Sequence, residues 1–353
     1  MRSFATWAAV AVVASASAGV QAAQQDRLDV RLSTAQPVVH GDVDITIDMS
    51  ITNISSHPVL MHKWQLPSGD MQGPLFRITR EDGSLVRYTG RLVKRAAPRA
   101  ADRVLLQPGQ TLVFQVELTG VYDLSRDGRY AIEYVGHERR GDAVAAAATS
   151  APLYLWLSGR SGLGAEPLAA APQAAPDARP QAGSISYTGA CSASQKTTLQ
   201  NAVNAARNYA NESAAYLNRT PSATQRYVKW FGAFTTSRWG TARTHFNNIQ
   251  SAFNNAALTL DCSCRESAYA YVYPNQPYKI YLCNAFWGAP MTGTDSKGGT
   301  LIHEMSHFNV VAGTDDWAYG QSAAARLARS NPTRALDNAD NHEYFAENTP
   351  ALP

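Results

Sequence analysis

The chain has 353 residues, enough for about two domains of ordinary size, each able to bury its own core. Apolar residues make up 45% and charged residues only 17%, below the roughly 25% usual in soluble chains, which excludes a disordered or tail-like protein. The formal charge of +3 comes without any run of Lys or Arg, so there is no phosphate-binding footprint, and nucleic acid is not an expected partner.

Residues 1–22 have the anatomy of a secretory signal peptide. Arg2 precedes an apolar stretch from Phe4 to about Val13, and small residues lead to Val20-Gln21-Ala22. The apolar core is short for a membrane anchor, and no later segment approaches the ~18 apolar residues of a spanning helix. A secreted, extracellular protein is expected, with no membrane association once the signal is removed.

Residues 23–160 read as an all-β, sandwich-like domain. Val43, Ile45, Ile47, Met49 and Ile51 alternate with polar residues, as do Leu112, Phe114, Val116 and Leu118, and turn signals such as Gln107-Pro108-Gly109 separate the runs. No constellation in this half suggests chemistry. Residues 161–183 shift to alanine, proline and glycine, which cannot build a core, and predict an exposed linker. From 184 to 353 the period becomes helical, with helices predicted over 193–217, 222–232 and 239–256. Short strands follow at Leu258 to Cys262, Tyr269 to Tyr273 and Ile280 to Cys283, and helices return from Gly298 to about Asn348. The fold class expected is α+β: a zincin-like, mainly helical catalytic domain with a small β-sheet, behind the β domain.

The cysteines are Cys191, Cys262, Cys264 and Cys283, and an even count in an exported chain predicts two disulfides. Side chains two apart on extended chain stand about 7 Å from each other, which disfavours Cys262 with Cys264 and leaves two connectivities.

The chemistry concentrates in His303-Glu304-Met305-Ser306-His307. On a helix, residues four apart share a face, so both imidazoles meet one point while Glu304 stands beside them as a carboxylate base. This predicts a zinc site, which in a catalytic centre needs a third protein ligand and an open position. Val310 and Gly313 occupy the positions where a metzincin carries Gly and His, excluding that class. Glu343 and Glu347 remain open as a third ligand, and so does a carboxylate from Gly313-Thr314-Asp315-Asp316, where glycine permits a chain reversal.

The motif followed by Gly313-Thr314-Asp315-Asp316-Trp317-Ala318-Tyr319-Gly320 resembles the aspzincin metalloendopeptidases, which include deuterolysin and the peptidyl-Lys metalloendopeptidases. The resemblance covers roughly residues 184 to 353. It implies one Zn2+ per catalytic domain, held by His303, His307 and Asp316, with Glu304 as general base and Tyr319 as a donor to the oxyanion. It implies disulfides Cys191 to Cys262 and Cys264 to Cys283. Asp340 and Glu343, three apart on a predicted helix, match the places where the peptidyl-Lys branch binds lysine on the carboxyl side of the scissile bond. The expected function is a secreted zinc endopeptidase cutting X-Lys bonds in proteins and peptides, monomeric, with its own propeptide as inhibitor. The alternative is a noncatalytic exported zinc-containing binding or adhesion protein. The chain holds six lysines, none between Lys94 and Lys196, so strict X-Lys cleavage could not cut the linker.

Overall fold

Side-chain alternation builds the N-terminal half into strands. In the computed structural model the described residues are 27–67, 69–96, 99–136, 148–161 and 183–353, and the expected leader (1–22) and all but the ends of the expected linker (161–183) lie outside them. Strands β1 (Leu28–Ser33), β2 (Val38–His40), β3 (Thr46–Asn53), β4 (Val59–His62), β5 (Phe76–Arg80), β6 (Leu92–Lys94), β7 (Arg103–Leu106), β8 (Thr111–Glu117), β9 (Gly128–Tyr134) and β10 (Leu153–Ser158) follow one another in this half. They form a β1-β3-β8 sheet, a β2-β10-β9-β5 sheet and a β4-β7 ribbon. Ile47, Met49 and Ile51 of β3 share one core with Ile78, Ile132 and Leu155 of the second sheet. The period-2 pattern thus turns one face of each sheet inward.

The C-terminal half is helical around a small sheet, so the molecule is α+β. Its elements are β11 (Ile185–Thr188), α1 (Ala193–Leu217), α2 (Gln225–Phe231), α3 (Thr236–Asn255), β12 (Leu258–Asp261), β13 (Ala270–Val272), β14 (Lys279–Leu282), α4 (Asn284–Gly288), α5 (Lys297–His307), α6 (Gln321–Ser330), α7 (Pro332–Leu336) and α8 (Ala339–Glu347). A capping box starts α1: Ser192 Oγ accepts from Gln195 N at 3.2 Å, and Gln195 Oε1 accepts from Ser192 N at 2.9 Å. Disulfides Cys191–Cys262 and Cys264–Cys283 tie the start of α1 to the end of β12, and the following loop to the end of β14. Buried Arg226 holds α8 in place, donating to Glu212 through both terminal nitrogens at 2.7 Å and to Phe345 O at 2.6 and 2.9 Å. Among the described residues no helix is long and apolar enough to cross a membrane.

The sheet of this half runs β11-β12-β14-β13-β6, so its last strand comes from the N-terminal half. β6 lies antiparallel to β13, with Leu92 opposite Val272, Val93 opposite Tyr271 and Lys94 opposite Ala270. The expectation that the N-terminal half carries no chemistry is corrected here, because β6 delivers Lys94 to the residues described next. The pairing joins segments far apart in the chain, and a three-residue strand buried throughout shows no alternation that could announce it.

Candidate active site

Helix α5 runs through the middle of the C-terminal half with every residue buried. Ser296 caps it, its Oγ accepting from Gly299 N at 2.9 Å. Gly299 is required by contact: a Cβ there would stand 2.0 Å from Glu347 Oε1. Glu347 in turn accepts from Ser296 N and Oγ at 2.8 Å, so it fastens the start of α5 and is committed away from the histidines.

One turn of helix brings His303 and His307 together, with their Nε2 atoms 3.1 Å apart. The chain then reverses through Gly313, whose φ of 62° lies in the left-handed region. Thr314 N donates back to Ser306 O at 3.1 Å. Thr314 O accepts from His307 Nδ1 at 2.7 Å, which leaves the His307 Nε2 lone pair pointing inward. Similarly, His303 Nδ1 faces Asp340 Oδ1 at 2.8 Å, leaving its Nε2 lone pair inward. Asp316 Oδ1 completes the group, 3.2 Å from His303 Nε2 and 3.6 Å from His307 Nε2, and makes no hydrogen bond.

Three acceptors facing one another without a donor repel unless a cation stands between them. Ligand atoms about 2.0–2.2 Å from a tetrahedral ion stand about 3.3–3.6 Å apart; the separations of 3.1, 3.2 and 3.6 Å lie within or just below that spacing. The residues therefore fit a divalent metal. Without a metal, burial alone would lower the His303 imidazole, but Asp316 outweighs it and holds His303 well above its usual value, so a proton on this ring then stands in for the cation. Burial pushes His307 down to about 4. Burial would raise the Asp316 carboxyl, yet the two histidines outweigh it and keep Asp316 ionised. Both oxygens of Glu304 are buried without a hydrogen-bond partner, and burial lifts this carboxyl to about 8.

Of the third-ligand candidates, only Asp316 reaches the inward nitrogens. Asp315 turns into the chain's own pairing, with its N–H on Asp337 O at 2.8 Å. Glu343 Oε2 lies 3.5 Å from the other nitrogen of His303. Tyr319 Oη stands 2.6 Å from Asp316 Oδ2, 2.7 Å from Val93 O and 2.8 Å from Arg95 Nη1. Its single proton serves Asp316 or Val93, and it accepts from Arg95.

Asp340 and Glu343 are buried, not on a solvated helix face. Between them sits the ammonium of Lys94, 3.4 Å from Asp340 Oδ1, 2.5 Å from Glu343 Oε2 and 3.8 Å from Asp295 Oδ1. The rings of Tyr269 and Tyr344 flank it at 5.3 and 5.9 Å. Burial would lower the Lys94 ammonium, but the three carboxylates outweigh it and hold it charged. His303 Nδ1, Asp340 and Glu343 could form a second cation cluster, yet Lys94 already supplies that cation.

Sequence reasoning missed Lys94, Arg95, Asp295 and Asn338. Asn338 Oδ1 accepts from Trp317 N at 2.7 Å and Ala318 N at 2.9 Å, which fixes the Asp316 loop against α8. Nothing local marks these residues, because each acts across a long sequence separation. His342 of α8 is also buried. Its Nδ1 donates to Asn338 O at 3.0 Å, and its Nε2 faces His245 Nδ1 at 3.0 Å.

Burial lowers His245 to about 4 and His342 to about 3, from about 6.5 when unfolded. Both pKa values fall on folding, so the unfolded chain binds more protons below pH 6.5, and stability is lost as pH falls from about 6.5 toward 4. Urea unfolding at pH 7 and pH 5 should show a lower midpoint at pH 5, and His342→Gln should flatten that difference. An unchanged difference in the variant would remove the pair as its source.

Comparison with known proteins finds metalloendopeptidases and an extracellular protease among its relatives. An aspzincin family model described as lysine-specific metallo-endopeptidase matches residues 216–347. The chain is 47% identical over 333 residues to an extracellular protease of Aeromonas hydrophila, covering 92% of this chain and 93% of that protein. It is 35% identical over 352 residues to a peptidyl-Lys metalloendopeptidase of Grifola frondosa, covering 96% of this chain and 98% of that one. A second such enzyme, from Pleurotus ostreatus, is 53% identical over 163 residues, 46% of this chain and 96% of its own. A solved zinc peptidase from Grifola frondosa aligns with TM-score 0.45 and 48% identity over 46% of this chain and 100% of its own.

Proposed function

Because the chain belongs to the aspzincin family of metalloendopeptidases, we propose that it is a secreted zinc endopeptidase that cuts on the amino side of lysine. Peptide-bond hydrolysis with a metal ion is the activity of the family, and peptides are its substrates. Zinc, the lysine preference, export and the roles of single residues are the finer reading. Two disulfides support export, together with the relative named as extracellular. Residues 1–22 are read as the leader, 23–160 as a propeptide that blocks the cleft, 161–183 as the linker and 184–353 as a monomeric peptidase.

His303 Nε2, His307 Nε2 and Asp316 Oδ1 would hold one zinc ion. When bound, zinc supplies a Lewis acid that acidifies water and polarises a peptide carbonyl. Glu304 takes a proton from the attacking water on a carboxylate oxygen and passes it to the departing amine nitrogen. Its raised affinity for a proton suits both halves of that transfer. Tyr319 Oη donates to the carbonyl oxygen as charge develops there. The Nδ1 contacts of His303 with Asp340, and of His307 with Thr314 O, hold each ring in orientation.

One observation carries the lysine reading: a lysine of the chain itself sits between Asp340 and Glu343 while the carbonyl preceding it lies within hydrogen-bond reach of Tyr319 Oη. With Lys94 removed, these buried carboxylates lack a counter-cation, and a substrate ammonium supplies it. Product sequencing from a peptide library should show lysine enriched immediately after the cut. Glu343→Gln should lower kcat/KM for lysyl substrates by about 30-fold or more, the equivalent of losing ~2 kcal/mol of a buried charge contact. A library profile without lysine enrichment would overturn the preference while leaving the peptidase intact.

A further inference from the structure

Strand β6 lies in the cleft in the manner of a substrate. Its backbone extends the sheet through β13, Lys94 O accepts from Tyr269 N at 2.9 Å, and the Lys94 side chain fills the acidic pocket. The bond on the amino side of Lys94 joins it to Val93, whose carbonyl oxygen lies 2.7 Å from Tyr319 Oη, within reach of its single proton. A lysine in the pocket and the preceding carbonyl on the oxyanion donor together describe the scissile register. No lysine lies in the linker, so an X-Lys enzyme has no bond to cut there, whereas Val93–Lys94 is already seated.

We infer that Val93–Lys94 is a self-processing site, hydrolysed within the same molecule by its own active site. This rests on the lysine reading above. Water oxygen bonds to the Val93 carbonyl carbon and the bond from that carbon to Lys94 N breaks. One water proton ends on the Lys94 amine, and the other is released from the new Val93 carboxyl group.

The strand is held on both sides of the cut, which explains how one segment acts as both substrate and plug. Upstream, Arg91 Nη1 binds Glu266 Oε1 at 2.6 Å, with its guanidinium 5.3 Å from the Tyr271 ring. Downstream, Arg95 donates to Tyr319 Oη, binds Gln72 O at 2.6 Å, and lies 5.1 Å from the Trp64 ring. Cleavage leaves both new ends anchored, so release is slow and the cleft stays filled after the first cut.

The test adds zinc to the metal-stripped full chain and follows intact mass and new N-termini. A fragment beginning at Lys94 should appear before any fragment beginning at Lys63 or Lys196. Its rate should not depend on protein concentration, and it should be lost entirely in Glu304→Gln. In that uncut variant an amine-acylating reagent should modify buried Lys94 at least ~10-fold more slowly than exposed Lys196, a readout independent of activity.

A rate proportional to protein concentration, or Lys94 acylated as fast as Lys196, would overturn the seated register. A chain that cuts added peptides before lysine yet keeps Val93–Lys94 intact would overturn the self-processing site and leave the lysine reading standing. Added peptides cut without lysine preference would remove that reading and this inference with it.

Discussion

Glu304→Gln should lower kcat for peptide hydrolysis by about two to four orders of magnitude, the contribution typical of a positioned general base, while metal content stays at one per chain. The amide has the shape of the carboxyl group, so packing around the fully buried side chain is kept. The proposed ligand atoms, His303 Nε2, His307 Nε2 and Asp316 Oδ1, do not include Glu304, so the metal should stay. What disappears is an oxygen able to take a proton, in a pocket where both Glu304 oxygens otherwise have no partner. Metal content by mass spectrometry beside single-turnover rates checks this. Activity within tenfold of wild type would remove Glu304 from the base role.

Asp316→Ala should strip the metal. It removes one of the three proposed ligand atoms, the only carboxylate among them, leaving two imidazole nitrogens facing each other. Loss of a residue that only orients a metal ligand typically costs about 10- to 100-fold in metal affinity, and loss of a direct ligand should exceed that. Asp316→Ala should also free Tyr319 from its carboxylate contact, so any activity restored by excess zinc would still be impaired. Titration against a competing chelator reads the affinity. Wild-type affinity in Asp316→Ala would mean that another group supplies the third ligand.

How much of this was legible in the sequence depends on the distance over which each residue acts. His303 and His307 are related by one helical turn, so the helical period alone places them together. The strands around Ile47 and Val116 announce themselves by alternation, and burial follows it at Ile45, Ile47, Met49 and Ile51, whereas Val43, ahead of β3, is exposed. Asp316 is nine residues beyond the motif, and periodicity left Asp315, Glu343 and Glu347 as competitors. The resemblance singled out Asp316, and the physical reason is visible only in three dimensions: Gly313 turns the chain and Asn338 locks the loop. Asp340 and Glu343 look like a solvated pair in sequence because the groups that bury them come from elsewhere. Lys94 is the extreme case, since its contact with Glu343 spans 249 residues and no local rule encodes it.

The placement of the metal bears most directly on these conclusions. Anomalous diffraction at the zinc edge from crystals of the zinc-loaded Glu304→Gln chain should show a single strong peak, about 2 Å from Nε2 of His303, Nε2 of His307 and a carboxylate oxygen of Asp316. A peak instead between His303 Nδ1, Asp340 and Glu343, or an Asp316 carboxylate turned away from the ion, would contradict it.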